Sequence, residues 1–137
     1  MAIDYGDVRI GVAQSDLMQV IASPLEVIPN IGLVESAKKI ANLAKNNDVE
    51  TIVLGLPLNM DGTEGARAEV TRKFAEEIAK ILPIKIVFQD ERLSSVEAEE
   101  MLIEANVRRD KRKKIIDKLA ACIILESYLN RKEKYYF

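Results

Sequence analysis

Three acids hold the clearest capacity for chemistry in this sequence: Asp4, Glu91 and Asp117. Asp4 closes a short apolar start and is followed by the turn residues Tyr5-Gly6-Asp7. Glu91 follows the apolar run KIVFQ, inside QDERLSS. Asp117 is embedded in IIDKLAACIIL, with Ala120 and Ala121 one helical turn further on. Small residues there let a helix approach a sheet closely. A carboxylate in such company is costly unless it is paired or binds a metal. Hard oxygen ligands suit Mg²⁺ or Mn²⁺. Two such ions about 3.5–4 Å apart activate a water and stabilise the leaving oxygen in phosphodiester hydrolysis. Taken singly, each acid has an ordinary explanation: Asp4 as turn punctuation, Glu91 as a surface partner of Arg92, Asp117 as the partner of a cation on its own helix. Three acids delivered by separate elements to one sheet edge favour the metal-binding reading.

Histidine is absent from the 137 residues. That excludes Ser-His-Asp and Cys-His arrangements and every imidazole metal site. The single cysteine, Cys122, excludes an internal disulfide and reads as packing within LAACIIL. That run, the longest apolar stretch, is far short of a membrane span. The N-terminus lacks a basic region followed by an apolar core. A cytoplasmic protein with no membrane partner is therefore expected. The formal net charge is −2, so a polyanion must be met by a local patch.

Such a patch exists. Arg108, Arg109, Lys111, Arg112, Lys113, Lys114 and Lys118 set seven cations against Asp110 and Asp117, a local net of +5 leading into the segment that bears Asp117. A solvated helix start would look similar, but in an acidic chain this density favours phosphate binding. The loop GLPLNMDGTEGARAE (55–69) leaves an apolar run and enters a helical one. Gly55, Gly62 and Gly65 permit tight backbone geometry and close approach to a ligand, and Gly6 shapes the first turn. The Gly-Lys-Ser/Thr ending of a phosphate-binding P-loop is missing. Asn59 and Arg67 are the loop residues able to touch a nucleotide or phosphate; a plain strand-to-helix turn is the competing reading.

These residues must be positioned by a β-β-β-α-β-α-β-α-α order. The first run ends at Asp4, residues 10–13 read as a second strand, and the proline-bounded 24–29 as a third, edge-type strand. Apolar spacing predicts a helix over 34–46, a buried strand over 51–55, a helix over 64–82 and a strand over 85–89. Ser94 with Glu97 reads as a capping box starting a helix that runs to about 105, and a last helix covers 111–130, with a frayed tail over 131–137. This is one α/β domain over 1–137: a five-stranded mixed sheet, made of a three-stranded antiparallel meander plus two parallel strands, with helices on both faces. Asp4 falls on the central strand. Only three residues precede it, so that strand is expected to be short.

DYGDVRIGVAQSD (4–16), GLPLNMDGTEGARA (55–68), DERLSSVEAEEML (90–102) and RRDKRKKIIDKLAACIILESYL (108–129) together resemble the YqgF family. These are RuvX-type, Holliday-junction-resolvase-like nucleases regarded as maturing the 5′ end of pre-16S ribosomal RNA. The resemblance covers nearly the whole chain, with fewer strand residues ahead of the DYG aspartate than the family has. It implies an RNase H-like fold and Asp4, Glu91 and Asp117 as catalytic, metal-binding acids. It also implies that Arg9, Gly55, Asn59, Gly62 and Arg92 shape the site or bind there.

The expectation is a metal-dependent endonuclease with two Mg²⁺ or Mn²⁺ ions, acting on structured RNA in ribosome biogenesis, with Arg92 orienting Glu91 or contacting the strand. A resolvase for four-way DNA keeps the fold but needs a two-fold dimer for its paired cuts. No strong apolar dimer stripe is readable, so a monomer or weak dimer is expected. A non-catalytic nucleic-acid-binding protein is a third reading. An actin-like ATP-binding fold shares the Asp-x-Gly opening, but this chain is too short for its two lobes.

Overall fold

The computed structural model describes residues 1–134; within that span the side chains of residues 93–97, 117, 118 and 132–134 fall outside the description. The elements are β1 (Ala2–Tyr5), β2 (Arg9–Ser15), β3 (Ala22–Pro29), α1 (Leu33–Asn46), β4 (Thr51–Leu56), α2 (Ala66–Ile81), β5 (Lys85–Asp90), α3 (Glu91–Glu104) and α4 (Arg109–Lys134). The sheet order is β3-β2-β1-β4-β5. β1 to β3 form the antiparallel meander, and β4 and β5 add parallel to β1, as the sequence predicts. β1 is central and only four residues long.

Alternation along the strands separates two cores. Ile3, Ile10, Val12, Ile52 and Leu54 pack under α1 and α2, around Ile40, Phe74 and Ile78. Ala2, Ala13 and Val53 face the other way and meet Ala121, Ile124, Leu125 and Leu129 of α4. Large residues thus fill one face and small ones the other. The small face lets α4 lie close: a Cβ on Gly11 would stand 3.7 Å from the Ala121 Cβ and 3.8 Å from that of Asp4.

Several boundaries differ from the sequence reading; β2 runs over Arg9–Ser15 and α2 over Ala66–Ile81, and three other differences have a clear place in the fold. α3 begins at Glu91, not at the Ser94 capping box, because Asp90 caps it: the Asp90 carboxylate accepts the Arg92 backbone N–H at 2.9 Å. α4 starts earlier than expected and continues to Lys134, so residues 131–134 are helical rather than frayed, and 135–137 lie outside the described residues. β3 starts two residues before Pro24 and is an edge strand.

Candidate active site

The site is built where the C-terminal ends of β1, β4 and β5 meet. Side chains alternate along a strand, so Asp4 shares the α4 face with Ala2, and Gly55 shares it with Val53. Gly11 stands directly opposite Asp4 in the β1–β2 register. The carboxylate of Asp4 is therefore flanked by two strands that carry no side chain at its level. The hollow that results is filled from above by Glu91. A Cβ on Gly55 would lie 2.5 Å from the Ile124 Cδ1 and 2.9 Å from the Glu91 Cγ. Nothing larger than glycine fits while Glu91 keeps this place.

Asp4 and Glu91 share a hydrogen bond, and the Glu91 carboxyl is pushed up to about 7. Burial is the main cause, followed by the negative charge of Asp4 and then that hydrogen bond; Arg67 pulls the other way. In this geometry the protonated Glu91 donates to the Asp4 carboxylate. With Glu91 ionised, two negative charges would face each other in a half-buried hollow, a demand for a cation.

That demand has a measurable signature. Between about pH 4.5 and 7 the folded chain holds a proton on Glu91 that the unfolded chain has released. Stability contributed by this group is present below the unfolded value and lost as pH rises through the folded one. Urea unfolding without divalent metal is expected to show a loss on the order of 2–3 kcal/mol between pH 5 and 8. A flat or rising profile would remove the buried pair.

Asp117 and Lys118 have side chains outside the described residues. The backbone still places position 117 four residues before Ala121, about 6 Å further along α4. α4 runs from Ala121, which meets the Gly11 position opposite Asp4, to Leu129, which borders the same depression as Met1, so that step lies toward the Asp4 end. Among the described residues no three acidic or cysteine side chains form a metal-holding group.

The remaining residues divide by position. Arg67 stands exposed in the first turn of α2, close enough for its charge to be felt at Glu91. It also borders a small cavity of about 190 Å³ with Tyr5, Asp7 and Thr71. Arg9 is exposed at the start of β2, and its carbonyl closes the first turn by accepting the Gly6 N–H at 3.0 Å. A Cβ on Gly6 would stand 2.5 Å from that oxygen, so the turn requires glycine.

Arg92 does not orient Glu91 through the contacts seen here. Its guanidinium grips Asp90, with Nη2 donating at 2.8 Å, and its Nη1 donates to the carbonyl of Met60 at 3.1 Å. It ties the 58–64 loop to the junction that carries Glu91. Asn59 is likewise occupied within that loop, where its Nδ2 donates to the Thr63 Oγ1 at 3.0 Å. Arg108, Arg109, Lys111, Lys113 and Lys114 are exposed, and Arg108, Arg109 and Lys113 border an open depression of about 830 Å³. Arg112 leaves this group: it turns inward, donating to the Val107 carbonyl at 2.9 Å and facing Glu99.

Two contributors escaped the sequence reading. Gly11 was legible in principle, because Ile10-Gly11-Val12-Ala13 alternates large and small, the pattern of a strand with one closely approached face. Gln89 is buried and donates to the Ser127 Oγ at 3.0 Å, locking β5 to α4. Nothing local in the sequence marks it.

A sheet of this order with paired acids at the end of its central strand defines an RNase H-like nucleic-acid-processing fold. A structure of T. thermophilus RuvC in complex with Holliday junction substrate shares that fold, with a TM-score of 0.57 at 12% identity over 96% of this chain and 92% of that one. The family model described as "RuvX: Holliday junction resolvase" matches residues 1–131, and the chain belongs to that family. A relative from Endomicrobium trichonymphae is 52% identical over 95% of this chain and 94% of its own. One from Carboxydothermus hydrogenoformans is 48% identical over 98% and 97%. Both carry the description "Putative pre-16S rRNA nuclease". Among the described residues no helix is long and apolar enough to cross a membrane.

Proposed function

We propose that this chain is a metal-dependent endonuclease that hydrolyses a phosphodiester bond near the 5′ end of precursor 16S ribosomal RNA in the cytoplasm. The observation that carries this reading is the Asp4–Glu91 pair, two carboxyls held in contact at the end of the central strand. The family and the descriptions of its relatives point the same way.

Asp4, Glu91 and Asp117 are the residues that would hold two Mg²⁺ or Mn²⁺ ions. The donor set fits: the oxygens are hard, and the pair's mutual repulsion is what a cation relieves. Bound there, the ions would supply an activated water and charge stabilisation at the leaving oxygen. The protein's own contributions are distinct. Asp4 shares a hydrogen bond with Glu91, whose carboxyl is pushed up to about 7 and so can take or release a proton near neutral pH. Arg67 holds a phosphate beside the pair. The exposed cations of the α4 start, with Lys118, neutralise the backbone of the incoming strand, and Arg9 extends this surface. Arg92 and Asn59 act through the loop they hold in place. A monomer or weak dimer suffices for a single cut.

The family's description keeps a second substrate in view, four-way DNA, which calls for two coordinated cuts. Incubation of the chain with a precursor rRNA fragment and with a four-way DNA junction, each with Mn²⁺ or Mg²⁺, separates them. Metal-dependent cutting of the RNA alone is expected. Symmetrical paired cuts in the junction alone would move the assignment to DNA. Cutting of neither would leave a nucleic-acid-binding protein without turnover.

A further inference from the structure

Met60 is 92% exposed at the tip of the 58–64 loop. A lone exposed apolar side chain is ordinary on a protein surface. The rest of the loop that carries Met60 is fixed. Leu58 and Glu64 form a bridge, the Asn59 N–H donates to the Thr63 carbonyl at 2.9 Å, and the Gly62 N–H donates to the Asn59 carbonyl at 2.9 Å. Gly62 has φ +89°, which closes a three-residue turn. Asp61 accepts the Thr63 N–H at 3.0 Å and its hydroxyl at 2.6 Å. The guanidinium of Arg92 clamps the Met60 carbonyl from below.

The loop is thus a small rigid hairpin whose one unsupported side chain is an apolar, unbranched one. It is also close to the acids. Arg92 directly follows Glu91, so the Met60 backbone is one arginine side chain away from the residue next to Glu91. That is the span of a few base steps of a stacked strand, at about 3.4 Å each.

We infer that Met60 is a wedge: it enters the stack of bases beside the scissile phosphate and holds one base step open while the strand lies across Asp4 and Glu91. The inference rests on the nuclease reading and adds how a structured substrate is opened. Apolar side chains of this type unstack base steps when a rigid element presents them. The neighbouring charge fits a base rather than a phosphate as the contact. Asp61 is held well below the usual carboxylate range by its hydrogen bonds to Thr63, so it stays negative and keeps phosphates away from the tip. Arg92, whose guanidinium touches the loop, is engaged with Asp90 and the loop carbonyls. An apolar wedge also tolerates any base, which suits recognition by shape.

The experiment reads stacking directly. Short RNA hairpins carry 2-aminopurine walked along the strand, and fluorescence is followed on binding in the Asp4→Asn background, which prevents cutting. Fluorescence is expected to rise at one base step with Met60 present, to be lost with Met60→Ala and to be kept with Met60→Leu. In the otherwise native chain, Met60→Ala is expected to cut paired RNA about 5- to 100-fold more slowly while unpaired RNA is cut at the native rate. An equal fluorescence rise in Met60→Ala, or an unchanged ratio of paired to unpaired cutting, overturns the wedge and leaves the nuclease reading intact. Failure of the Met60-containing chain to bind any hairpin overturns both.

Discussion

Asp4→Asn is expected to stop cleavage and to leave the chain at least as stable at neutral pH. The two outcomes have one cause. Asp4 lies in contact with Glu91, and its charge helps drive the Glu91 carboxyl up to about 7. Replacing it with asparagine keeps the shape and a hydrogen-bonding group but removes one of the two repelling charges. Glu91 then ionises more easily in the folded chain, so the loss of stability between pH 5 and 8 becomes shallower. An increase of about 1 kcal/mol at pH 7.5 is expected in urea unfolding. The same change deletes a charged oxygen donor from the proposed metal set. Activity is expected to fall at least about a thousandfold, well beyond the 10–100-fold that follows loss of a partner behind a ligand. Added Mn²⁺ is expected to raise the thermal midpoint of the native chain and not that of the variant. Retained cleavage in Asp4→Asn would end the catalytic assignment of this pair.

Gly55→Ala tests the hollow rather than the acids. The added Cβ meets the Ile124 Cδ1 at 2.5 Å and the Glu91 Cγ at 2.9 Å, so both side chains must move. Overpacking of this kind costs about 1–3 kcal/mol. The larger effect is on the chemistry: Glu91 can yield only by leaving Asp4. A drop in activity of about 100-fold is expected, of the size that follows misplacement of a reacting group by 1 Å. A second readout separates displacement of Glu91 from general damage. Once Glu91 leaves Asp4 and the interior, its carboxyl returns toward its ordinary range, and the pH 5 to 8 slope in stability flattens. A stable, fully active Gly55→Ala chain with an unchanged slope would show that Glu91 is not confined as described.

Much of this architecture could be read from local chemistry. The run TIVLG has the composition of a strand buried on both faces, and β4 is buried there. Apolar spacing placed α1 within one residue of its start. The prolines of β3 marked an edge strand, because a ring nitrogen has no donor for a ladder. The start of α3 was misplaced for an equally local reason. Ser94 and Glu97 form a good capping pattern, but Asp90 is also a preferred cap and lies directly at the end of β5, where the helix in fact begins. The chain turns into the helix at once, and Glu91 comes to stand over the sheet rather than out in a loop. The roles of Arg92 and Arg112 were out of reach of sequence for a different reason. Both carry long side chains whose direction depends on what lies opposite: loop carbonyls for Arg92, Val107 and Glu99 for Arg112.

By itself the sequence determined the periodicities, and through them the elements, the mixed sheet and the acids worth watching. Hydrophobic alternation and helical spacing are properties of neighbouring residues, so they survive in one dimension. Only the tertiary structure decided that Gly11 and Gly55 flank Asp4 on either side, that Glu91 drops into the gap they leave, and that its proton is thereby held to about pH 7. Those facts depend on strand register and on how closely α4 lies against the sheet. Both are set by packing between residues far apart in the chain, through energies that no local pattern encodes.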